Sequence, residues 1–326
     1  MKKLKLGKTQ IDISKIGLGT WAIGGGPAWG GDKDLQECID TIRACPTLGV
    51  NLIDTAPGYN FGNSERIVGK ALAGMKREDI VLITKCGIVW TREGSLFNKV
   101  GDIQLYKNLS KESIREEIEL SFERLGIDYV DVYMTHWQSV EPCFTPISDT
   151  MEVLNELKAE GKILAIGAAN ASPQHIKEYL KYGELDIVQG KYSILDRNIE
   201  NDLIPICKKN RITLQAYSPL EQGLLSGEMS REYVPQGAQI GKRWFERTNM
   251  LNAINMMEGW KDLRKKYDCT IANLALAWIL AQGDYISLLS GATTAAQIKQ
   301  NVRSAEIKLS KEDIQLMRKM AEAIDK

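Results

Sequence analysis

The chain is short of several residue types, and each shortage removes a class of function. Histidine occurs only twice in 326 residues, at His136 and His175. A multi-histidine metal site is therefore not expected, and no metal is assigned. Acids and bases balance at 42 each, so no net field draws the chain to nucleic acid or to an anionic membrane. The six cysteines (Cys38, Cys45, Cys86, Cys143, Cys207, Cys269) form no C-x-x-C pair. That scatter reads as a reduced, cytoplasmic compartment rather than a disulfide framework. The longest apolar stretch, IANLALAWILA at 271–281, is too short to span a bilayer and contains Asn273. It is read as a buried helix. The basic start MKKLKLGKTQ has no apolar segment behind it, so no secretory leader is expected. No linker rich in Gly, Ser or Pro divides the chain, and one domain over 1–326 is expected.

What is present is an alternation. Short apolar runs lie at 16–21, 50–55, 80–85, 130–137, 163–168, 186–192, 213–218 and 286–291. Helical patterns separate them at 32–48, 64–73, 110–125, 146–159, 172–182, 199–209 and 255–282, with one more at 295–303. Ser110 precedes Ile114, Ile118 and Phe122 at every fourth position, and Pro173 follows Ser172 as at a first helical residue. Near-continuous apolar strands alternating with helices imply a parallel sheet covered by helices. Eight such units close most naturally into a (β/α)8 TIM barrel; an open doubly wound sheet is the alternative. The first fifteen residues read as a β-hairpin around Gly7-Lys8. Segments 90–108 and 224–250 lack periodicity and are expected to be long loops on the C-terminal face.

In such a barrel, chemistry sits where the strands end. There the chain places Asp54, Lys85, His136, Asn170, Gln189, Tyr217 and Ser218. In NLIDTAPGYNFGNSE, 51–65, an apolar strand delivers Asp54, breaks at Pro57-Gly58 and sets down Tyr59. A phenol is a weak acid, with a pKa near ~10. An ammonium from Lys85 is expected to lower it, with Asp54 orienting the lysine and His136 bonding at the same oxygen. Such a tyrosine protonates an alkoxide forming on a carbonyl, or removes its proton in reverse. These groups supply no hydride, so a cofactor must.

The segments IDTAPGY, ITK, THW, IGAAN, VQGKY and YSPLEQGLLSG resemble the aldo-keto reductases over almost the whole chain. GLGTWAIGG with PAWGG is most similar to the bacterial general-stress and inositol-associated members. The resemblance implies a barrel that reduces carbonyls with NADP(H) or NAD(H), with Tyr59 as general acid beside Asp54, Lys85 and His136. It implies that Asn170 and Gln189 bind the nicotinamide amide and that Tyr217 stacks on its ring. Ser218 and Leu220 would follow the pyrophosphate, and Gly291, Ala292, Thr293, Gln297 and Asn301 the adenosine end. The helix opening near Thr293-Thr294 would offer N–H groups to an anion.

Three positions depart from the family. Ala169 stands where a serine is usual, and Asn60 replaces the glycine after the tyrosine. Thr293 replaces a cation that often meets the 2′-phosphate; Lys242, Arg243, Lys299 and Arg303 are possible substitutes. A strict preference for the phosphorylated cofactor is therefore not expected; dual use or NAD preference is. Trp21, Trp29, Trp90 and Trp137 are expected to wall a pocket for an aldose-type or aromatic carbonyl. The rival functions are an NAD-dependent sugar dehydrogenase running oxidatively and a cofactor-binding regulatory subunit, as in the β subunits of potassium channels.

Overall fold

The computed structural model describes residues 2–325. Eight parallel strands form a closed ring: Ile16–Gly19 (β3), Leu52–Asp54 (β4), Val81–Cys86 (β5), Val130–Thr135 (β9), Ile163–Ala169 (β10), Ile187–Lys191 (β11), Thr213–Tyr217 (β12) and Ile286–Gly291 (β13). This is the expected (β/α)8 barrel. The hairpin Lys3–Lys5 (β1) with Asp12–Ser14 (β2) closes the end where the strands begin. Its Leu6 and Ile13 pack on Leu52, Val81, Val132, Ala165 and Ile187. The opposite end is left open.

Helices Leu35–Ala44 (α1), Asn63–Leu72 (α2), Lys111–Leu125 (α3), Ile147–Ala159 (α4), Pro173–Tyr182 (α5) and Leu203–Asn210 (α6) cover the ring in chain order. Their starts are chemically marked. Ser110 accepts from Ser113 N, and Ser172 accepts from His175 N while His175 Nδ1 accepts from Ser172 N. His175, which carried no sequence-based role, is thus half of a reciprocal helix cap.

Three expectations need correction. The aperiodic segment 90–108 is mostly a sheet: Ile88–Val89 (β6), Ser95–Val100 (β7) and Ile103–Lys107 (β8) pair antiparallel in the order β6-β8-β7. A register shift between Leu96 and Asn98 and exposure along β7 erase the alternation that would have marked it. The single helix expected at 255–282 is three: Arg247–Glu258 (α7), Lys261–Lys266 (α8) and Ile271–Leu280 (α9). Thr270 starts α9 anew by accepting from Asn273 N at 3.2 Å. After Ala295–Val302 (α10) comes an unanticipated helix, Lys311–Ile324 (α11), whose Ile314 carbonyl accepts from Trp278 Nε1 at 3.2 Å. Among the described residues no helix is long and apolar enough to cross a membrane, and all six cysteines are free.

Glu117 on α3 fastens the end of β5. Both its oxygens accept from Gly87 N, at 3.1 and 2.9 Å, and Oε1 also accepts from Ser113 Oγ at 3.1 Å. Burial pushes its carboxyl up to about 8, against those hydrogen bonds. A raised folded-state value favours the protonated form, so this stabilisation is full below the ordinary glutamate pKa and is lost as pH rises toward 8. Glu117→Gln keeps an acceptor and removes the charge. Its stability is expected to match wild type near pH 4.5 and exceed it at pH 8, the free-energy difference growing by up to ~1.4 kcal/mol per pH unit and the thermal midpoint rising with it. A difference independent of pH in parallel thermal melts would refute this.

Candidate active site

Asp54 ends β4, a strand buried at all three residues. Beyond it Tyr59 N bonds Ala56 O at 3.1 Å and Gly62 N bonds Pro57 O at 2.7 Å, closing a tight turn. Asn60, Phe61 and Gly62 all have positive φ, at 51°, 51° and 78°. Asn60 accepts this conformation where most side chains would not. Its Nδ2 also donates to Gly24 O at 2.9 Å, fastening the turn to the loop after β3. Gly26 has to be glycine: a Cβ there would lie 2.6 Å from Asn60 Oδ1.

Lys85, fully buried on β5, donates to Asp54 Oδ1 at 2.6 Å, Thr55 O at 2.8 Å and Tyr59 Oη at 3.1 Å. His136 follows β9 and its N–H bonds Cys86 O at 2.8 Å. Its ring meets the Tyr59 ring edge-on, with centroids 5.6 Å apart. Asn170, left-handed at φ 54°, donates to His136 O at 2.9 Å and accepts from Tyr217 Oη at 2.7 Å. Gln189 is engaged within the protein as well: its Nε2 donates to Asp54 Oδ2 at 2.5 Å. Asp54, Lys85 and Gln189, from the ends of three strands, therefore meet at one ion pair with Tyr59 against it.

Electrostatics at that point differ from the expectation in one respect. Burial, then the Asp54 charge, holds the Tyr59 phenol well above 10. The Lys85 ammonium, 3.1 Å away, favours the phenolate but does not outweigh them. Burial also pushes Asp54 up and Lys85 down, each opposed by their 2.6 Å contact. Burial first, and Lys85 second, hold His136 well below 6.5, so its ring is neutral.

A cleft of about 1920 Å³ opens over this group. Asp54, Tyr59 and His136 line it, whereas Lys85 lies beneath. Asn170, Gln189, Tyr217, Ser218, Leu220, Gly291, Ala292, Thr293, Gln297 and Asn301 line the same cleft. Trp21 and Trp29 do so too, packed edge to face at 5.1 Å, with Trp21 at 6.2 Å from the Tyr59 ring. Trp137 lines it beside Phe97 of β7. Trp90 does not; it stands edge-on to Phe61 at 5.4 Å. Phe97 and Leu105 also line the cleft and had no sequence signal, because β7 and β8 were not recognised; Phe61 lines it from the turn after Tyr59.

The profile of the aldo/keto reductase family matches residues 15–322. The chain is an aldo-keto reductase. It is 65% identical, over the full length of both chains, to the Escherichia coli protein named NADH-specific methylglyoxal reductase. It is 37% identical to aldo-keto reductase YhdN of Bacillus subtilis, covering 92% of this chain and 87% of that one. Its fold matches a glycerol dehydrogenase of Gluconobacter oxydans with a TM-score of 0.88 at 30% identity, covering 99% and 96%. A Klebsiella pneumoniae aldo-keto reductase solved with NADPH matches with a TM-score of 0.73 at 26% identity, covering 98% and 95%.

This aldo-keto reductase is thus a nicotinamide-dependent oxidoreductase of carbonyl compounds. Tyr59, Asn170, Gln189, Tyr217, Gln297 and Asn301 all contribute polar groups to its cleft. The far end differs from expectation. Gln297 Oε1 accepts from Thr293 N at 2.9 Å, and Thr294 Oγ1 accepts from Gln297 N at 3.2 Å. The chain's own side chains thus take N–H groups that an anion would use. Lys242 and Arg243 both line the cleft, Arg243 paired with Asp325 at 2.8 Å, whereas Lys299 and Arg303 do not line it.

With His136 neutral and Tyr59 protonated, reductive kcat/KM is expected to stay flat from pH 6 to pH 8. An acidic limb with a midpoint near 6.5 in initial-rate profiles would contradict the neutral imidazole.

Proposed function

We propose that the chain reduces small activated carbonyls, 1,2-dicarbonyls of the methylglyoxal type foremost, with NADH preferred and Tyr59 as proton donor. The observation that carries this is the Tyr59 hydroxyl on the cleft wall, 3.1 Å from a buried ammonium. When bound, the nicotinamide supplies the hydride. Tyr59 gives its proton to the carbonyl oxygen as negative charge builds there. Lys85 stabilises the phenolate left behind, and Asp54 and Thr55 O hold the ammonium in place. Neutral His136 lies against the same edge and orients the carbonyl without adding charge.

Support for NADH comes from Thr293 and Gln297, which are neutral and bonded to each other where a 2′-phosphate would need a cation. The name of the 65% identical relative supports both NADH and the dicarbonyl. A second reading, oxidation of a polyol or sugar, draws on the glycerol dehydrogenase likeness and the Trp21–Trp29 wall. Against it stands the phenol's reluctance to ionise, since a base must first lose its proton.

Tyr59→Phe is expected to lower reductive kcat by ~10²–10⁴-fold while leaving NADH affinity within about twofold by tryptophan quenching. Equal loss of binding and turnover would assign Tyr59 to cofactor binding instead. Initial rates with NADH and NADPH across methylglyoxal, aldoses, aromatic aldehydes and, with NAD, glycerol test the specificity. Faster polyol oxidation than dicarbonyl reduction at pH 7 would reverse the assignment, and cofactor binding without repeated turnover on any substrate would favour a sensor role.

A further inference from the structure

Asp54 and Gln189 face each other across the whole barrel, because β4 and β11 stand four places apart in the ring of eight. Their 2.5 Å bond is a rung across the lumen, directly under the cleft. Gln189 Nε2 has two hydrogens. The second goes to Gln215 Oε1 at 2.8 Å. Gln215 is the register partner of Gln189 on neighbouring β12. It is fully buried and does not line the cleft.

Packing alone does not account for an amide at 215. Its own Nε2 is buried without a partner, which costs stability, and its strand neighbours Leu214 and Ala216 are apolar. Its oxygen, however, has a definite effect. The two ends of a glutamine amide are nearly the same size and exchange by a half-turn. A flipped Gln189 would set Oε1 against the Asp54 carboxylate, acceptor against acceptor. With Gln215 Oε1 as neighbour, that flip loses two hydrogen bonds at once.

We infer that Gln215 is a positioning residue for the proton donor: its amide oxygen locks Gln189 with nitrogen toward Asp54, and thereby keeps Asp54 aimed at Lys85. The inference rests on the proton-donor reading of Tyr59 given above. It also defines what Gln189 offers a cofactor. With Nε2 spent twice, Oε1 is left, an acceptor suited to the NH₂ of a carboxamide.

The charged groups acting on Lys85 are Asp54 and, more weakly, Glu65, with Tyr59 and His136 completing the titratable set. Without the Gln189 donor, Asp54 carries more unshared charge, and Lys85 holds its proton to higher pH. Gln215→Met keeps the volume and removes the acceptor. It is expected to lower kcat ~10-fold, leave carbonyl KM within about twofold, preserve the thermal midpoint and move the alkaline limb of kcat upward. Gln215→Glu, kept protonated by burial, retains an accepting oxygen and is expected to recover kcat to within about threefold of wild type. A Met variant with wild-type kcat and pH profile overturns the inference. So does equal loss in both variants with a lowered thermal midpoint, which would make the role structural. Tyr59→Phe assayed alongside separates the two ideas. If it turns over normally, the proton-donor reading fails; if it is inactive while Gln215→Met is normal, only the role of Gln215 fails.

Discussion

The site depends on one buried ammonium. Lys85 Nζ sits between a carboxylate, a carbonyl and a phenol, with no access to water. Taking two ions out of water costs several kcal/mol each, and only good geometry with further hydrogen bonds offsets it. The chain provides both. Asp54 uses one oxygen for Lys85 and the other for Gln189, and the third lysine bond goes to Tyr59 on the cleft wall. The pair is held because of where it points, since stability alone would favour apolar residues in its place.

The barrel makes this economical in residues. Closing the ring sets strands from distant parts of the chain face to face at one end, while the β1–β2 hairpin seals the other. Side chains that leave the strand ends then share a small volume. The loops add a second layer. Asn60 ties the Tyr59 turn to the loop carrying Trp21 and Trp29, and Asn170 ties His136 to Tyr217. The tryptophan-bearing loop and the groups around Lys85 are therefore connected by specific hydrogen bonds.

Much of this was legible beforehand. Strands that are buried on both faces read as plain apolar runs, and their polar last residues stand out against them. Asp54, Lys85, His136 and Gln189 were found on that signal. The β6–β7–β8 sheet was not, because one exposed, bulged hairpin leaves no period to read. The breaks among α7, α8 and α9 fall at Gly259-Trp260 and at 267–270, within a short charged stretch whose stops and caps a reading of apolar period alone passes over. Gln215 gave no signal either: it sits inside a strand, two residues before the end, and only its bond to Gln189 marks it out.

The sequence by itself determined the local units: which runs become strands, which residues cap helices, and which chemical groups stand at the strand ends. Those depend on near neighbours, at spacings of two to four residues. The tertiary structure alone decided which of those groups meet. Asp54 and Gln189 are 135 positions apart and bond only because the ring closes. The protonation of Tyr59 was likewise decided in three dimensions, since burial and Asp54 together outweigh the neighbouring ammonium. Charge balance in a dry interior depends on distances that no linear pattern carries.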